Sequence, residues 1–144
     1  MVRKKIALAA DHAGFALKTL VRDELAGQGY ETLDLGTGNE ESVDYPDFGR
    51  ALGEAVAAGK ADCGVLVCGT GIGISIAANR VAGVRAAVCH DVTTARLARL
   101  HNDANVLALG SRIVGLEVAR DCVQTFLNTE FEGGRHGRRV GKLG

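Results

Sequence analysis

The sequence predicts a single α/β domain: a three-layer sandwich whose five-stranded parallel sheet, Rossmann-like and of flavodoxin-like order, carries helices on both faces. Two observations predict it. Short, continuous apolar runs alternate with longer segments whose apolar residues recur at helical spacing, the pattern of buried strands each followed by a helix. Glycine supplies 20 of 144 residues and proline only one, so the junctions read as tight turns within a fold rather than as a low-complexity tract.

The first strand is Ile6-Ala-Leu-Ala-Ala10, which ends at Asp11, His12 and Gly14. A helix follows with Leu17, Leu20, Val21 and Leu25 on one face, broken by Gly27 and Gly29. Tyr30-Glu-Thr-Leu-Asp-Leu35 alternates as a strand and is closed by Gly36-Thr-Gly38, with a polar loop over 39–44. Pro46 opens the second helix, in which Phe48, Leu52, Ala55 and Val56 share a face until Gly59 stops it. Gly64-Val-Leu-Val67 is the third strand and runs directly into Cys68-Gly-Thr-Gly-Ile-Gly-Ile-Ser75 and a third helix. A strand near 84–89 precedes a helix from about Asp91; Val106-Leu-Ala-Leu109 is the fifth strand, and Leu116, Ala119, Val123 and Phe126 mark the last helix. Residues 132–140 lack periodicity and read as an extended basic tail at 131–144 of a domain spanning 1–144.

Composition narrows the function. Lys plus Arg and Asp plus Glu are both 17, so the formal net charge is zero. A nucleic-acid or anionic-membrane binder shows a basic excess, so neither partner is expected. The apolar run from Ile6 stops at Asp11, too soon for a signal peptide, and no window approaches a membrane span; a cytoplasmic location is expected. The four cysteines, at 63, 68, 89 and 122, then read as reduced thiols. Cys63 and Cys68 lie five apart in one strand and face opposite sides, and the four histidines show no ligand spacing. No metal site is expected.

In a parallel sheet, ligands bind beyond the carboxyl ends of the strands. This chain places Asp11 and His12 after the first strand, Cys68 to Gly73 after the third, and His90 and Asp91 after the fourth. The G-x-G-x-G spacing of Gly69, Gly71 and Gly73 fits neither a dinucleotide loop nor a P-loop. It does suit backbone N–H groups converging on an anion at a helix N-terminus, though a tight turn that needs glycine for packing has equal claim to the spacing. Cys68 at the loop mouth tips the balance, because a thiol at a helix N-terminus is the kind that serves as base or nucleophile. Cys63, Cys89 and Cys122 read as buried apolar thiols and His90 as a local hydrogen-bonding residue. His101-Asn-Asp-Ala-Asn105 concentrates polar residues in a helix-to-strand connection, either a helix cap with turn residues or part of a site. Arg135, Arg138 and Arg139 suit either a solvated tail or a phosphate clamp.

Taken together, the glycine loop Cys68 to Asn79, Asp11-His12, Asp44-Tyr-Pro46, His101-Asn-Asp103 and Gly133-Gly-Arg135 resemble the ribose-5-phosphate isomerase B family, over about residues 5–140. That family also includes galactose-6-phosphate isomerase subunits and tetrose-phosphate isomerases. The resemblance implies aldose–ketose isomerisation through a cis-enediolate without a cofactor, on ribose 5-phosphate and ribulose 5-phosphate or on a tetrose or hexose phosphate. A silent phosphosugar-binding module is the competing reading, and Cys68, Thr70 and His101 together argue against it. By motif, Cys68 matches the proton-transferring base and Thr70 the group bonding the two reacting oxygens. The N–H groups of Gly69, Gly71, Ile72, Gly73 and Ser75 match the enediolate cradle. His101, aided by Asp11, matches the ring-opening acid–base. His12, Arg135 and Arg139 match phosphate ligands, with Arg112 from a neighbouring subunit, and Tyr45 and Asn102 match residues lining the sugar. One branch of the family carries a glutamate base where Ser75 stands here; with Cys68 present, this chain resembles the cysteine branch. The resemblance also implies a homodimer with shared active sites, in some members paired into a tetramer.

Overall fold

The computed structural model describes residues 5–144. In chain order the elements are β1 (Lys5–Ala10), α1 (Phe15–Gly27), β2 (Glu31–Asp34), α2 (Tyr45–Ala57), β3 (Cys63–Cys68), α3 (Ile72–Asn79), β4 (Ala86–Val88), α4 (Val92–Asn102), β5 (Val106–Gly110), α5 (Leu116–Leu127) and α6 (Arg135–Gly141). All strands pair in parallel, in the order β2-β1-β3-β5-β4. The expected flavodoxin-like order holds for the first three positions and is exchanged in the last two. Burial explains the exchange. β5 is apolar throughout and wholly buried, whereas β4 is three half-buried residues, and a short strand belongs at an edge. β2, the other edge, is also partly exposed, so three strands rather than five are fully covered.

This order sets the helix layers. Connections that run from the β2 side towards the β4 side carry α2 and α3, and the returning connections carry α1 and α4. Right-handed crossovers therefore put the two pairs on opposite faces. The core divides accordingly: Ile6, Leu8, Val65, Val67 and Leu107 meet α1, α4 and α5 on one face, and Ala7, Ala9, Leu66 and Val106 meet α2 and α3 on the other. Cys63 belongs to the first cluster and Cys68 to the second, as their odd spacing requires.

α2 and α3 press together because α2 carries Gly49 at the crossing. A Cβ there would come within 2.6 Å of the Ile74 carbonyl oxygen and 2.9 Å of the Ala77 Cβ. α3 is the helix that the glycine loop opens, and Tyr45 begins α2, so this close approach places the tyrosine beside the loop.

α1 departs from its expected face. Val21 and Leu25 are buried and Leu17 packs against the core, but Leu20 is 36% exposed while Lys18 is only 1% exposed. The Lys18 ammonium donates to both Asp34 carboxylate oxygens, at 2.8 and 3.0 Å, and to the Thr37 carbonyl at 2.7 Å. Arg22 adds a bond to Asp34 at 2.7 Å. Burial raises the Asp34 pKa, but the bonds from Lys18, the Gly36 N–H and Arg22 outweigh it and hold the carboxyl below its ordinary value. The network ties α1 to the end of β2, where periodicity alone saw an apolar helix face.

The expected extended tail is instead the helix α6, which lies on α4 with His136 buried. The glycines at 133 and 134 turn the chain with positive φ and the helix starts at Arg135. Packing against another helix, not local periodicity, orders so short a segment.

Lys18→Met should cost roughly 2–4 kcal/mol at pH 7, since it leaves a part-buried carboxylate short of a partner and a carbonyl unpaired. A carboxyl depressed below its unfolded pKa stabilises the fold above that value, and the contribution disappears as pH falls through the folded pKa. The difference between wild type and variant in urea unfolding should therefore narrow on acidification below the ordinary carboxylate value of 3.8. A constant difference from pH 7 to pH 3 would assign the cost to packing instead.

Candidate active site

The carboxyl ends of β1, β3 and β5 bring one group of side chains together. Cys68 ends β3, is 4% exposed, and its Sγ accepts a hydrogen bond from the Gly71 N–H at 3.1 Å. Gly71 caps α3 with φ 78°, and a Cβ there would meet the Leu109 backbone at 2.9 Å. Only glycine accepts both conditions. The end of β5 closes the loop from below: Ser111 N–H donates to the Cys68 carbonyl at 2.9 Å and Arg112 N–H to the Gly69 carbonyl at 3.0 Å. The Arg112 guanidinium lies 3.2 Å from where a Cβ on Gly69 would stand, and Tyr45 lies 2.5 Å from the equivalent point on Gly73. Both glycines thus leave backbone open beside a side chain that reaches over it.

Asp11 and His12 stand at the same edge. Asp11, 6% exposed, accepts from the Ala13 and Gly14 N–H groups at 3.0 and 3.1 Å, so one of its oxygens caps the turn into α1. His12 Nδ1 accepts the Val43 N–H at 3.1 Å; its other nitrogen, Nε2, must then carry the ring proton and is the donor available to an anion. His90 donates from Nε2 to the Thr70 carbonyl at 3.2 Å, the local role expected of it. Ser75 departs from the cradle. Its N–H donates to the Gly71 carbonyl at 3.3 Å and its hydroxyl to the Ile72 carbonyl at 2.7 Å, so both are committed within α3. The Ile72 N–H bonds the Thr70 hydroxyl at 3.2 Å. The first turn of α3 still directs its N–H groups at the loop mouth.

His101 and Asn102 lie elsewhere. They are the last two residues of α4, not a loop, and Asp103 ends the helix with φ 46°. The Asp103 carboxylate accepts from Arg99 at 2.8 Å and Arg85 at 3.4 Å, and buried Arg99 also donates to the Ala104 carbonyl at 2.7 Å and the Thr129 carbonyl at 3.0 Å. Asp103 therefore fixes the helix end that presents His101. α4 leaves the Cys68 edge and returns to the amino end of β5, where Val106 pairs with Gly64. From Gly64 to Cys68 is four residue steps, about 13 Å of strand, so His101 and Cys68 of one chain lie on opposite sheet edges.

Around His101 the structure forms a cavity of about 290 Å³ lined by His101, Asn102, His136, Arg139, Val140 and Leu143. His136 stacks on His101, with ring centroids 4.4 Å apart and planes at 16°. Burial, then the charges of His101 and Arg135, lowers the His136 pKa below its ordinary 6.5. Sequence reasoning missed His136 because its segment carried no pattern; its neighbours Arg135 and Arg139 were the available signal. It also missed Ser111, whose hydroxyl donates to the Ala13 carbonyl at 2.8 Å and links β5 to the Asp11–His12 turn. The remaining cysteines behave as read: burial raises the Cys89 pKa, and burial, then Cys89, pushes Cys122 to about 11.

Comparison with known proteins matches this arrangement to a family. A family model described as Ribose/Galactose Isomerase matches residues 6–143. Ribose-5-phosphate isomerase B of Escherichia coli K12 is 52% identical over 137 residues, 95% of this chain and 92% of that one. D-erythrulose-4-phosphate isomerase of Pectobacterium atrosepticum is 44% identical over 142 residues, covering 96% and 92%. Among solved structures, ribose-5-phosphate isomerase B of Clostridium thermocellum superposes with a TM-score of 0.96 at 57% identity, covering 97% of this chain and 95% of that one.

Two glycine substitutions separate the loop's fold from its use. Gly71→Ala forces a side chain into left-handed backbone, which costs about 1–2 kcal/mol, and into the Leu109 backbone, so the melting temperature should drop. Gly73→Ala has its nearest contacts on the side chain of Tyr45, which is 41% exposed. It should leave thermal unfolding nearly unchanged while lowering kcat/KM for the substrate. Equal loss of stability in both variants would mean that Tyr45 is held as firmly as backbone.

Proposed function

The chain belongs to the ribose/galactose isomerase family, and we propose that it interconverts ribose 5-phosphate and ribulose 5-phosphate through a cis-enediolate, with no cofactor. The observation that carries this reading is Cys68 at the mouth of a glycine-cornered helix N-terminus: a proton acceptor beside N–H groups able to hold the developing oxyanion. Donors of that kind contribute ~3–4 kcal/mol each to a transition state.

In the aldose-to-ketose direction, His101, supported by Asp11, opens the sugar ring. Cys68 takes the proton from C2 and returns it to C1, while the O2 proton passes to O1 with the Thr70 hydroxyl as relay. The Gly69 and Gly73 N–H groups hold the enediolate, and the Gly71 N–H, which donates to Cys68 Sγ, steadies the thiolate. His12 donates through Nε2 to the phosphate, joined by the Arg112, Arg135 and Arg139 guanidiniums; Tyr45 and Asn102 line the sugar. A second reading, the same chemistry on a four-carbon sugar phosphate, draws support from the 44% identical D-erythrulose-4-phosphate isomerase. A panel of four-, five- and six-carbon sugar phosphates compared by kcat/KM decides between them.

The opposite placement of Cys68 and His101 supports a homodimer in which each site draws on both subunits. Arg112, expected from a neighbouring subunit, instead lies beside Gly69 of its own chain; in this arrangement it comes from the subunit that supplies Cys68, and Arg135 and Arg139 come from the neighbour. Ile72 and Ile76, about half exposed on α3 beside the loop, offer apolar surface to that neighbour. Among the described residues no helix is long and apolar enough to cross a membrane, which fits a place in cytoplasmic pentose phosphate metabolism.

Cys68→Ala should abolish exchange of the C2 proton with deuterated water while ribose 5-phosphate still binds; retained exchange would assign the base elsewhere. Reassociating Cys68→Ala with His101→Ala subunits should restore about a quarter of wild-type activity, since half the dimers pair unlike chains and one of their two sites is whole. No recovery would place His101 in its own subunit's site.

Arg135→Ala and Arg139→Ala should each raise KM with little change in kcat, each removing a charge-assisted bond of ~1.5–3 kcal/mol. Point variants are preferable to truncation because α6 packs on α4. An unchanged KM in both would return these arginines to the solvated surface.

A further inference from the structure

Two of the four histidines, 35 residues apart in sequence, meet in space. His101, Glu132 and His136 each offer one ligand atom, and these atoms all lie within 4.8 Å of one another. Ligand atoms on a tetrahedral Zn²⁺ with ~2.1 Å bonds stand about 3.4 Å apart, so the cluster closes by side-chain rotation of up to about 1.4 Å. Its parts come from well-anchored places. His101 is in the last turn of α4, fixed by the Arg99–Asp103 bonds. Glu132 is held by its own N–H, which donates to the Leu100 carbonyl at 3.1 Å. His136 is on α6.

A second observation points to a ligand. His136 is 6% exposed, and its Nε2 is buried with no hydrogen-bond partner. A buried polar atom without a partner is costly, and the imidazole stack on His101 supplies none. A metal ion would.

We propose that His101, Glu132 and His136 form a site for a divalent transition-metal ion of the Zn²⁺ class, and that the ion inhibits the enzyme by capturing His101. Two imidazoles and a carboxylate are a donor set that Zn²⁺ accepts, with a fourth position left to water. Binding turns the two rings out of their parallel stack so that both direct a nitrogen at one point. Arg139 lines the same cavity and Arg135 opens α6; their positive charge opposes a cation, so the site is exchangeable rather than structural. The inhibition, unlike the binding, rests on the proposed ring-opening role of His101.

The test uses the full-length enzyme, stripped by chelator, in a buffer that does not bind metal. Titration with Co²⁺ should produce visible d–d bands without a thiolate charge-transfer band, and Zn²⁺ should displace the Co²⁺. Zn²⁺ should inhibit the isomerisation of ribose 5-phosphate, and chelator should restore it. Glu132 is exposed and touches no reacting atom, so Glu132→Gln should keep the metal-free activity. It should also weaken both Co²⁺ binding and Zn²⁺ inhibition by at least about tenfold, the smallest effect typical even of outer-shell changes. The site is overturned if Co²⁺ gives no bands, or if a thiolate band appears that Cys68→Ala removes while Glu132→Gln leaves Zn²⁺ sensitivity intact. Full activity with the ion bound at the Glu132-dependent site would overturn the inhibition and, separately, the ring-opening role of His101.

Discussion

A parallel sheet has a direction, and the arrangement of functional groups in this protein follows from it. Every strand delivers its carboxyl end to one edge, so the residues after β1, β3 and β5 meet there: Asp11 and His12, the loop from Cys68, and Ser111 with Arg112. Every helix that follows a strand must return to the other edge before the next strand begins. α4 therefore carries His101 and Asn102 away from Cys68 by its own length. The separation is a consequence of topology and no side-chain rotation undoes it. The proposed completion of each site by a second copy of the chain rests on this separation.

Within each edge, the geometry depends on a few close approaches. Gly49 lets α2 rest on α3, and Gly71 turns the chain from β3 into α3 against the end of β5. Both act on the same object, the first turn of α3, whose N–H groups give the Cys68 edge its preference for negative charge. At the other edge the fixed element is the end of α4. Buried Arg99 ties Asp103, Ala104 and Thr129 together, so His101 stands on a helix terminus that has little freedom to fray. α6 then closes over it through the imidazole stack with His136. The two edges thus differ in kind: one is a backbone cradle with a sulfur, the other a cluster of ionisable side chains.

That difference bears on how such a protein is read. Cys68, Gly71 and Gly73 were legible as a candidate site only together: the alternating glycines suit a tight turn equally well, and the thiol at the loop mouth tipped the reading. His101 was legible from its motif, but the role of its neighbour Asp103 was not: the carboxylate serves the helix end through Arg99 and Arg85. Ser75 went the other way. Its position in the loop motif suggested a donor, and its helical hydrogen bonds to Gly71 and Ile72 take both of its protons.

The sequence by itself determined the element order as far as α5, the parallel sheet, the buried face of α2, that of α5 apart from the exposed Leu116, and the glycine loop, because each is written in the pattern of one element and its flanking turns. Tertiary structure alone decided the rest. β5 displaced β4 from the sheet interior because burial across a whole strand, not local pattern, sets strand order. Lys18 entered a helix face read as apolar because Asp34 and the Thr37 carbonyl, sixteen and nineteen residues away, were there to receive it. Residues 135–141 became a helix because α4 offered a surface to pack on. His101, Glu132 and His136 met because that helix folded back. In each case the partner lies far along the chain, and local periodicity carries no information about a contact whose other half is absent from the window.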